Sequence, residues 1–571
     1  MVLRPSVRRF ALSLLGSAAL VAGGAGLAGL PSALAAGQQP VVVALGVQES
    51  PNFFFPEPSA PSFTEVNGQM EHMLYLPLVN ITHNDAPSFV DAVAKKVTWN
   101  AAGTVFDVFL KPGLKWSNGT PVTSADVVFA WDVIRDSTVN PKAPWTYGGS
   151  GMGGVPTLWK SVVAKGSDEV VVTLSHGVDA NWFEIDGLSQ LFPVPASVWN
   201  KYPTDPNQEL KFIQSLANSP TAAQYKVIDG PYFFSATVPN QYWSFAANPN
   251  YTAGPKPTVQ KVVFQYETSN EAEFAALKGG SVQIGYVPNT LFGARGQLTN
   301  DTVSPVYTYM FDYIFLNESA MAKDVKNAFQ SVYVRRALQM GINQPAIIKA
   351  FYNGYGVTEN DQVPRYPKTI FFDRQATTYA YNPAAGKKLL EAHGWKPVNG
   401  VMTKNGVALK FTMYFNSGDD TAAAIAQYLK STWALEGIDL NLETMQENTI
   451  FTYGNSNANK WSMLWWNGGW IYGPDFEPTG DVFWSPVTGV DTSFESPEMT
   501  KLIALTEAPG TQAQHLARFR QFLNYESQQL PYLWMPDYPS FDAVAKNVQN
   551  AMASFNPITG FWYPEYWHVA G

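Results

Sequence analysis

No cysteine occurs anywhere in the 571 residues. That excludes disulfides, thiolate nucleophiles and cysteine-based zinc or iron–sulfur sites. It also excludes the lipobox cysteine that would carry a lipid anchor at a mature N-terminus. Histidine is nearly as scarce: His72, His83, His176, His393, His515 and His568 are the six. No two stand at H-E-x-x-H or H-x-H spacing, so scattered surface or core imidazoles are the simpler reading than a metal site. No metal and no cofactor is expected. Charged residues make up only 15% of the chain, with 46 acidic against 37 basic side chains and a net charge of -9. A nucleic-acid partner needs a basic footprint, which is missing. A G-x-S-x-G elbow and a P-loop are missing as well.

The N-terminus is well marked. MVLRPSVRRF carries Arg4, Arg8 and Arg9, an apolar Gly/Ala-rich run follows to Leu30, and PSALAAGQQP supplies an A-x-A site at Ala33 and Ala35. This is the layout of a secretory signal peptide, with cleavage expected near Ala35 or Ala36. Arg8-Arg9 hints at a twin-arginine signal, but its flanks fit that pattern poorly and general export is preferred. An uncleaved anchor is the alternative, since the run is nearly long enough to span a bilayer. No second apolar run of spanning length appears, so the mature protein is expected to be soluble.

The length exceeds what one core supports, roughly 250–300 residues, so two or more lobes are expected. Aromatics reach 14%, with 18 Trp, 27 Tyr and 35 Phe. Such rings fill a large core or line a wide cleft, and both uses can coexist. Strand patterns appear at VVVALGV (41–47), FDVFLKPGLKW (106–116, broken by Pro-Gly), DEVVVTL (168–174) and GPKPTVQKVVFQY (254–266). Helix patterns appear at EAEFAALKGG (271–280), VRRALQMGINQPAII (334–348) and YNPAAGKKLLEAHGW (381–395). TAAAIAQYLKSTWALEGIDLNLETM (421–445) reads as helix, Gly437, then strand. The alternation predicts an α/β protein with at least two α/β lobes.

KWSNGTPVTSADVVFAW (115–131) is dense in local instructions. Asn118-Gly119 supplies a turn with positive φ. Thr123 and Asp126 predict a helix cap, and Val127, Ala130, Trp131 and Ile134 share one face of the helix that follows. Each has a folding reason, and none needs a ligand.

LKPGLKWSNGTPVTSADVVFAWDVI nevertheless resembles the signature of the extracellular solute-binding proteins of family 5, the dipeptide- and oligopeptide-binding components of ABC importers. Asn118 stands where Asp is common. DGPYFFSATVPNQYWSFAANPNYTAGPKPTVQKVVF (229–264), EFAALKGGSVQIGYVP (273–288), VRRALQMGINQPAIIKAFYNGYG (334–356), YNPAAGKKLLEAHGW, STWALEGID and NGGWIYGPDFEP (467–478) resemble further family segments in the family's order. The resemblance implies a two-lobed, hinged periplasmic-binding-protein fold of type II with an extra inserted domain. It implies residues 1–36 as signal peptide; 37–85, 226–305 and 535–571 as lobe I; 86–225 as its inserted domain; and 306–534 as lobe II. The 115–131 stretch then belongs to the inserted domain, away from ligand.

In peptide-binding members the aspartate of a "GW--D" segment holds the ligand's α-amino group, a charge-assisted bond. Gly469 and Trp470 match that segment, but its aspartate position is Gly473. Asp475 takes over if the loop differs in length; otherwise the amine anchor is lost. Trp465, Trp466, Trp470 and Tyr472 then read as an aromatic platform for a flat solute, with core packing of about half of them the alternative. Tyr309, Phe311 and Tyr313 alternate, so on a strand they share one face, which in the family borders the cleft. Packing between strands is the equal alternative. Asn52 and Phe53 follow the first strand, and Tyr286 lies near the expected hinge. The implied function is non-catalytic: a peptide-like or other small solute is captured between the lobes of an exported, periplasmic or extracytoplasmic monomer and passed to permease subunits. The alternatives are a secreted hydrolase acting on polysaccharide, for which Asp419-Asp420 or Asp475 with Glu477 would serve, and a sensory relative. Low charge and absent cysteine fit a harsh, acidic extracellular medium.

Overall fold

The apolar run at 41–47 forms the strand Val41–Val47, and it pairs in parallel with both Lys261–Glu267 and Ile284–Tyr286. In the computed structural model, which describes residues 39–47, 49–318, 328–372, 375–446, 449–450, 453–454, 461–471, 494 and 496–570, this strand lies inside a seven-stranded sheet. Its order is Asp301–Val306, Ser540–Ala545, Ile284–Tyr286, Val41–Val47, Lys261–Glu267, Tyr242–Ala247, Tyr232–Val238. A second sheet of five strands runs Asp439–Met445, Lys410–Asn416, Met463–Trp465, Tyr313–Leu316, Tyr532–Trp534. Each sheet centres one lobe. The first takes strands from distant parts of the chain, between residues 41 and 545, whereas all five strands of the second fall within 313–534. A four-stranded antiparallel sheet, Ala94–Trp99, Val105–Leu110, Glu169–Leu174 and Trp159–Ala164, stands beside the first.

Local sequence accounts for the boundaries of the elements. At 115–131, Gly119 turns at φ +87°, and Asn118 Oδ1 accepts from Thr120 N at 3.0 Å. Asp126 Oδ2 accepts from Thr123 N at 2.8 Å and caps the helix Ser124–Val139. Its face Val127, Ala130, Trp131 and Ile134 is buried. Gly280 ends the helix Asn270–Gly279 in the left-handed region. The 334–348 segment is not one helix but two, Val332–Met340 and Gln344–Phe351. Asn343 Oδ1 accepts from Ala346 N at 3.1 Å and Pro345 sits in the new first turn, so a cap and a proline restart the helix.

The segment 308–317 links the two lobes, and it is not one continuous strand. Met310–Phe311 pairs with Trp470–Ile471, while Tyr313–Leu316 joins the five-stranded sheet. Between them Asp312 is fully buried. Its Oδ1 accepts from Trp465 Nε1 at 3.0 Å and from Tyr313 N at 2.8 Å, and its carbonyl accepts from Met535 N at 3.0 Å. Burial pushes its carboxyl up to about 7, with those two donors pulling the other way. Gly469, at φ +62°, lies so close that a Cβ there would run into the Phe311 carbonyl. Asn467, also at positive φ, accepts from Tyr352 Oη at 2.8 Å and donates to Asp419 Oδ2 at 2.8 Å.

Arg335, from the VRRAL segment, is the one fully buried Lys or Arg among the described residues, and its Nη1 meets Glu318 Oε2 at 2.8 Å. Its Nε donates to the Gln529 carbonyl at 2.9 Å, fastening lobe II to its last helix, Gln512–Gln529. Arg335→Ala would leave Glu318 buried and unpaired, so urea unfolding should show a loss of about 3–5 kcal/mol. Gly469→Ala should cost about 2 kcal/mol or more, because positive φ and a backbone clash act together. Gly113→Ala, at φ +78° with open space around it, should cost only about 1 kcal/mol in the same measurement.

Candidate functional site

Between the two lobes lies a cavity of about 230 Å³. From the first lobe it takes Val43 to Gly46 of the strand Val41–Val47, Tyr286, Tyr538, Ser540, Asp542 and the start of the helix Glu65–Leu74; from the second, Thr308, Met310 and Gly468 reach it. A larger hollow of about 510 Å³ lies on the outer edge of the five-stranded sheet. Lys410, Lys430 and Asp439 are its charged groups, and Lys410 pairs with Asp439 at 2.7 Å. The interlobe cavity, where both lobes converge, is the candidate site.

Its chemistry is set by carboxyls. Glu49, Glu65 and Asp542 line it. Glu49 folds back over Gly46, where a Cβ would stand 2.6 Å from the Glu49 carboxyl carbon; Glu65 lies against Gly560, where a Cβ would stand 2.6 Å from Oε1. Glu49 and Glu65 are exposed and line the cavity. The protein around Glu65 raises its carboxyl to about 8, helped by the like charges of Glu49 and Asp542. Asp542 is buried and pushed up to about 7 by burial, although Ser540 Oγ donates to its Oδ1 at 2.6 Å. Behind them Glu273, raised to about 8 mainly by burial, accepts from Tyr286 N at 2.6 Å. Gln69 and Trp562 hold the floor with reciprocal bonds, Trp562 N to Gln69 Oε1 at 2.7 Å and Gln69 Nε2 to the Trp562 carbonyl at 3.1 Å.

Of the ring residues singled out in the sequence, Tyr286 lines this cavity. Tyr309, Phe311 and Tyr313 do share a face, but that face is core: all three are at most 1% exposed. Phe311 and Tyr313 meet at a tilt with ring centroids 5.0 Å apart, and Tyr313 meets Trp466 edge-on at 5.4 Å. Residues of the opposite parity, Thr308 and Met310, face the cavity instead. Trp465 and Trp466 are buried too, held by Asp312 and by a bond from Trp466 Nε1 to the Gly469 carbonyl at 2.8 Å. Gly469 and Trp470 sit at the crossing, with Trp470 half-buried against the same rings. Phe53 packs edge-on to Trp145 inside the first lobe, and Asn52 clasps Asn67, so neither is among the cavity-lining residues. Tyr472 and Asp475 lie outside the described residues.

Glu65, Gln69, Asp542 and Trp562 went unnoticed in the sequence because no local pattern marks them. They come together only when the 540–545 strand inserts beside Ile284–Tyr286. The one signal was Glu49, three residues before the noted Asn52.

Residues 88–488 match the family model for bacterial extracellular solute-binding proteins, family 5 Middle. The oligopeptide-binding protein AppA of Bacillus subtilis (strain 168) is 22% identical over 519 residues, covering 89% of this chain and 88% of AppA. The solved structure of that AppA in complex with a nonapeptide has a TM-score of 0.77 at 21% identity, over 93% of this chain and 99% of that one. NikA from Brucella suis in complex with Fe(III)-EDTA gives a TM-score of 0.73 at 15% identity, over 93% and 100%. The two-lobed fold, the cavity between the lobes and the match across most of the chain agree, and this chain belongs to the bacterial extracellular solute-binding proteins of family 5.

Proposed function

We propose that this chain is the extracytoplasmic binding component of an ABC importer, exported behind residues 1–36, and that as a monomer it captures a peptide-like solute in the interlobe cavity. The observation that carries this is a cavity walled by both lobes and lined by the carboxyl groups of Glu49, Glu65 and Asp542. A protonated Glu65 or Asp542 offers an O–H donor and an acceptor oxygen at one site. That pairing suits amide and carboxylate groups. A solute bridging Gly468 and Met310 on one side and Asp542 and Tyr286 on the other favours the closed form, because only closure completes its contacts. In this reading lobe I comprises 37–85, 226–305 and 535–571, the inserted domain 86–225, and lobe II 306–534; the strands of the two large sheets are consistent with that division. The relatives bind different things, a nonapeptide in AppA and Fe(III)-EDTA in NikA, so peptide rests on the cavity's chemistry and the named oligopeptide-binding relatives.

The protein acts by binding and not by turnover. Asp419, which a hydrolase would need as a catalytic carboxylate, is spent as a helix cap: its Oδ1 accepts from Ala422 N at 2.9 Å and its Oδ2 from Asn467. Asp475 and Glu477 lie outside the described residues.

Native mass spectrometry of protein purified from its own host should release a solute of peptide mass; a sugar or a metal chelate would overturn the peptide reading. With that solute, calorimetric affinity should fall about tenfold between pH 6 and pH 9, as a carboxyl near 8 loses its proton. Glu65→Gln, which keeps a donor, should bind at pH 6 and flatten the profile. Affinity that instead rises with pH would mean an ammonium meets the carboxylates first.

A further inference from the structure

The placement of acids extends well beyond the cavity. Of the 46 acidic side chains, 22 are buried among the described residues, whereas Arg335 alone of 37 Lys and Arg is. An ionised carboxyl taken out of water needs a cation or several donors. Many of these acids have neither.

Two places show it most sharply. In the first lobe, Glu57 is fully buried with neither oxygen hydrogen-bonded, and Glu71, on the helix Glu65–Leu74, has Oε1 unpartnered. The two carboxyls act on each other as like charges. The other titratable groups facing them are the phenols of Tyr75, Tyr147 and Tyr225, with Asp229 beyond Tyr75; no Lys, Arg or His acts on either. His72, next to Glu71 in sequence, packs against Phe561 and Tyr563 instead. In the second lobe, Glu436 is fully buried between Gly341 and Gly386, both oxygens unpartnered and no charged group acting on it. A Cβ at Gly386 would stand 2.5 Å from Glu436 Oε2, so the glycine makes the carboxyl's seat. Among the described residues no three His, Cys, Asp or Glu are grouped so as to hold a metal ion. Protons are then the remaining way to neutralise these carboxyls.

We propose that this protein is matched to an acidic extracellular medium, in which its buried carboxyl side chains stand as neutral acids and its fold is most stable. The inference does not depend on the solute. Burial raises Glu436 to about 9 and Glu359 to about 8, and raises Glu57 and Glu71 well above the carboxylate range. A group whose folded value lies above its unfolded value, about 4, binds protons more tightly when folded. Its contribution is complete below about pH 4 and is lost as pH rises toward the folded value. The usual cause of acid unfolding, protonation of salt-bridged carboxylates, has little to act on here, because the only ion pair with both partners buried is Arg335–Glu318 among the described residues. The modest number of Lys and Arg also limits repulsion once the acids are neutral.

The test is thermal unfolding of the full chain, followed by circular dichroism from pH 3 to pH 9. The midpoint should be highest between pH 3 and pH 5 and fall by about 10 °C or more by pH 8. A midpoint that is flat, or that rises toward neutrality, overturns the proposal. Glu57→Gln with Glu71→Gln, and separately Glu436→Gln, should leave the midpoint near that of the parent at pH 4 and raise it by about 5 °C at pH 8. If they lower it equally at both pH values, the carboxyls serve as anions or as plain packing, and the proposal fails. Should either variant not fold, the other variant and the profile of the parent protein decide.

Discussion

At the crossing between the lobes, the backbone of Gly469 lies against the carbonyl of Phe311, with no room for a Cβ. The interlobe arrangement depends on that contact. It lets Trp470 pair with Phe311 while Tyr313, two residues on, enters a different sheet. The break between them is occupied by Asp312, whose buried carboxyl takes the Trp465 indole and the next backbone amide. With Asn467 tied to Tyr352 and Asp419, the glycine-rich turn is fixed from both sides. Gly468, within that turn, then borders the cavity. The family motif around Gly469 and Trp470 is thus explained first by backbone packing, and its position beside the cavity follows from that.

Local features of the fold were legible in the sequence because they are chemically local. Asn118-Gly119, the Thr123–Asp126 cap and Gly280 each act within a few residues, and each appears where its chemistry puts it. Even the break at Gly341–Asn343 was written there, as Asn followed two residues later by Pro, although apolar periodicity across 334–348 outweighed it. The site was less legible. Strand alternation correctly grouped Tyr309, Phe311 and Tyr313 on one face. It could not say which face meets the cavity, since period-two patterning is symmetric until a partner sheet is known. The rings went to the core and Thr308 and Met310 to the solute side. Glu65 lies on an ordinary helix start, hundreds of residues from Asp542 and Trp562, and only the discontinuous lobe brings them together.

Aromatic abundance has a similar resolution. Most of the rings described here pack on other rings: Trp131 stacks on Trp159 at 4.7 Å, and Tyr313 touches Phe311, Phe315, Trp466 and Tyr532. Five aromatic residues nevertheless line the cavity itself, Phe264, Tyr286, Tyr538, Phe555 and Trp562. The carboxyls of Glu49, Glu65 and Asp542 stand among them, so the cavity offers both flat apolar surface and hydrogen-bonding groups. A stacking platform selects for flatness, whereas enclosed acids select for groups that accept and donate hydrogen bonds.

The glycines and the acids form one design. Gly46 faces Glu49, Gly560 faces Glu65, Gly285 faces Glu273, Gly254 faces Asp91, and Gly341 and Gly386 both face Glu436. In each case a Cβ would press on the carboxyl at 3.0 Å or less. Where the acid is buried, as at Glu273 and Glu436, a carboxylate packed on bare backbone would be poorly solvated and costly. A neutral acid in the same place is a compact polar group that fills the gap left by the absent side chain. The same packing rule therefore serves the cavity and the core. In the proposed reading it gives Glu65 a proton to offer a solute, and it lets Glu436 sit without a counter-ion. Both depend on the proton being present, which ties solute recognition and fold stability to the pH of the surrounding medium.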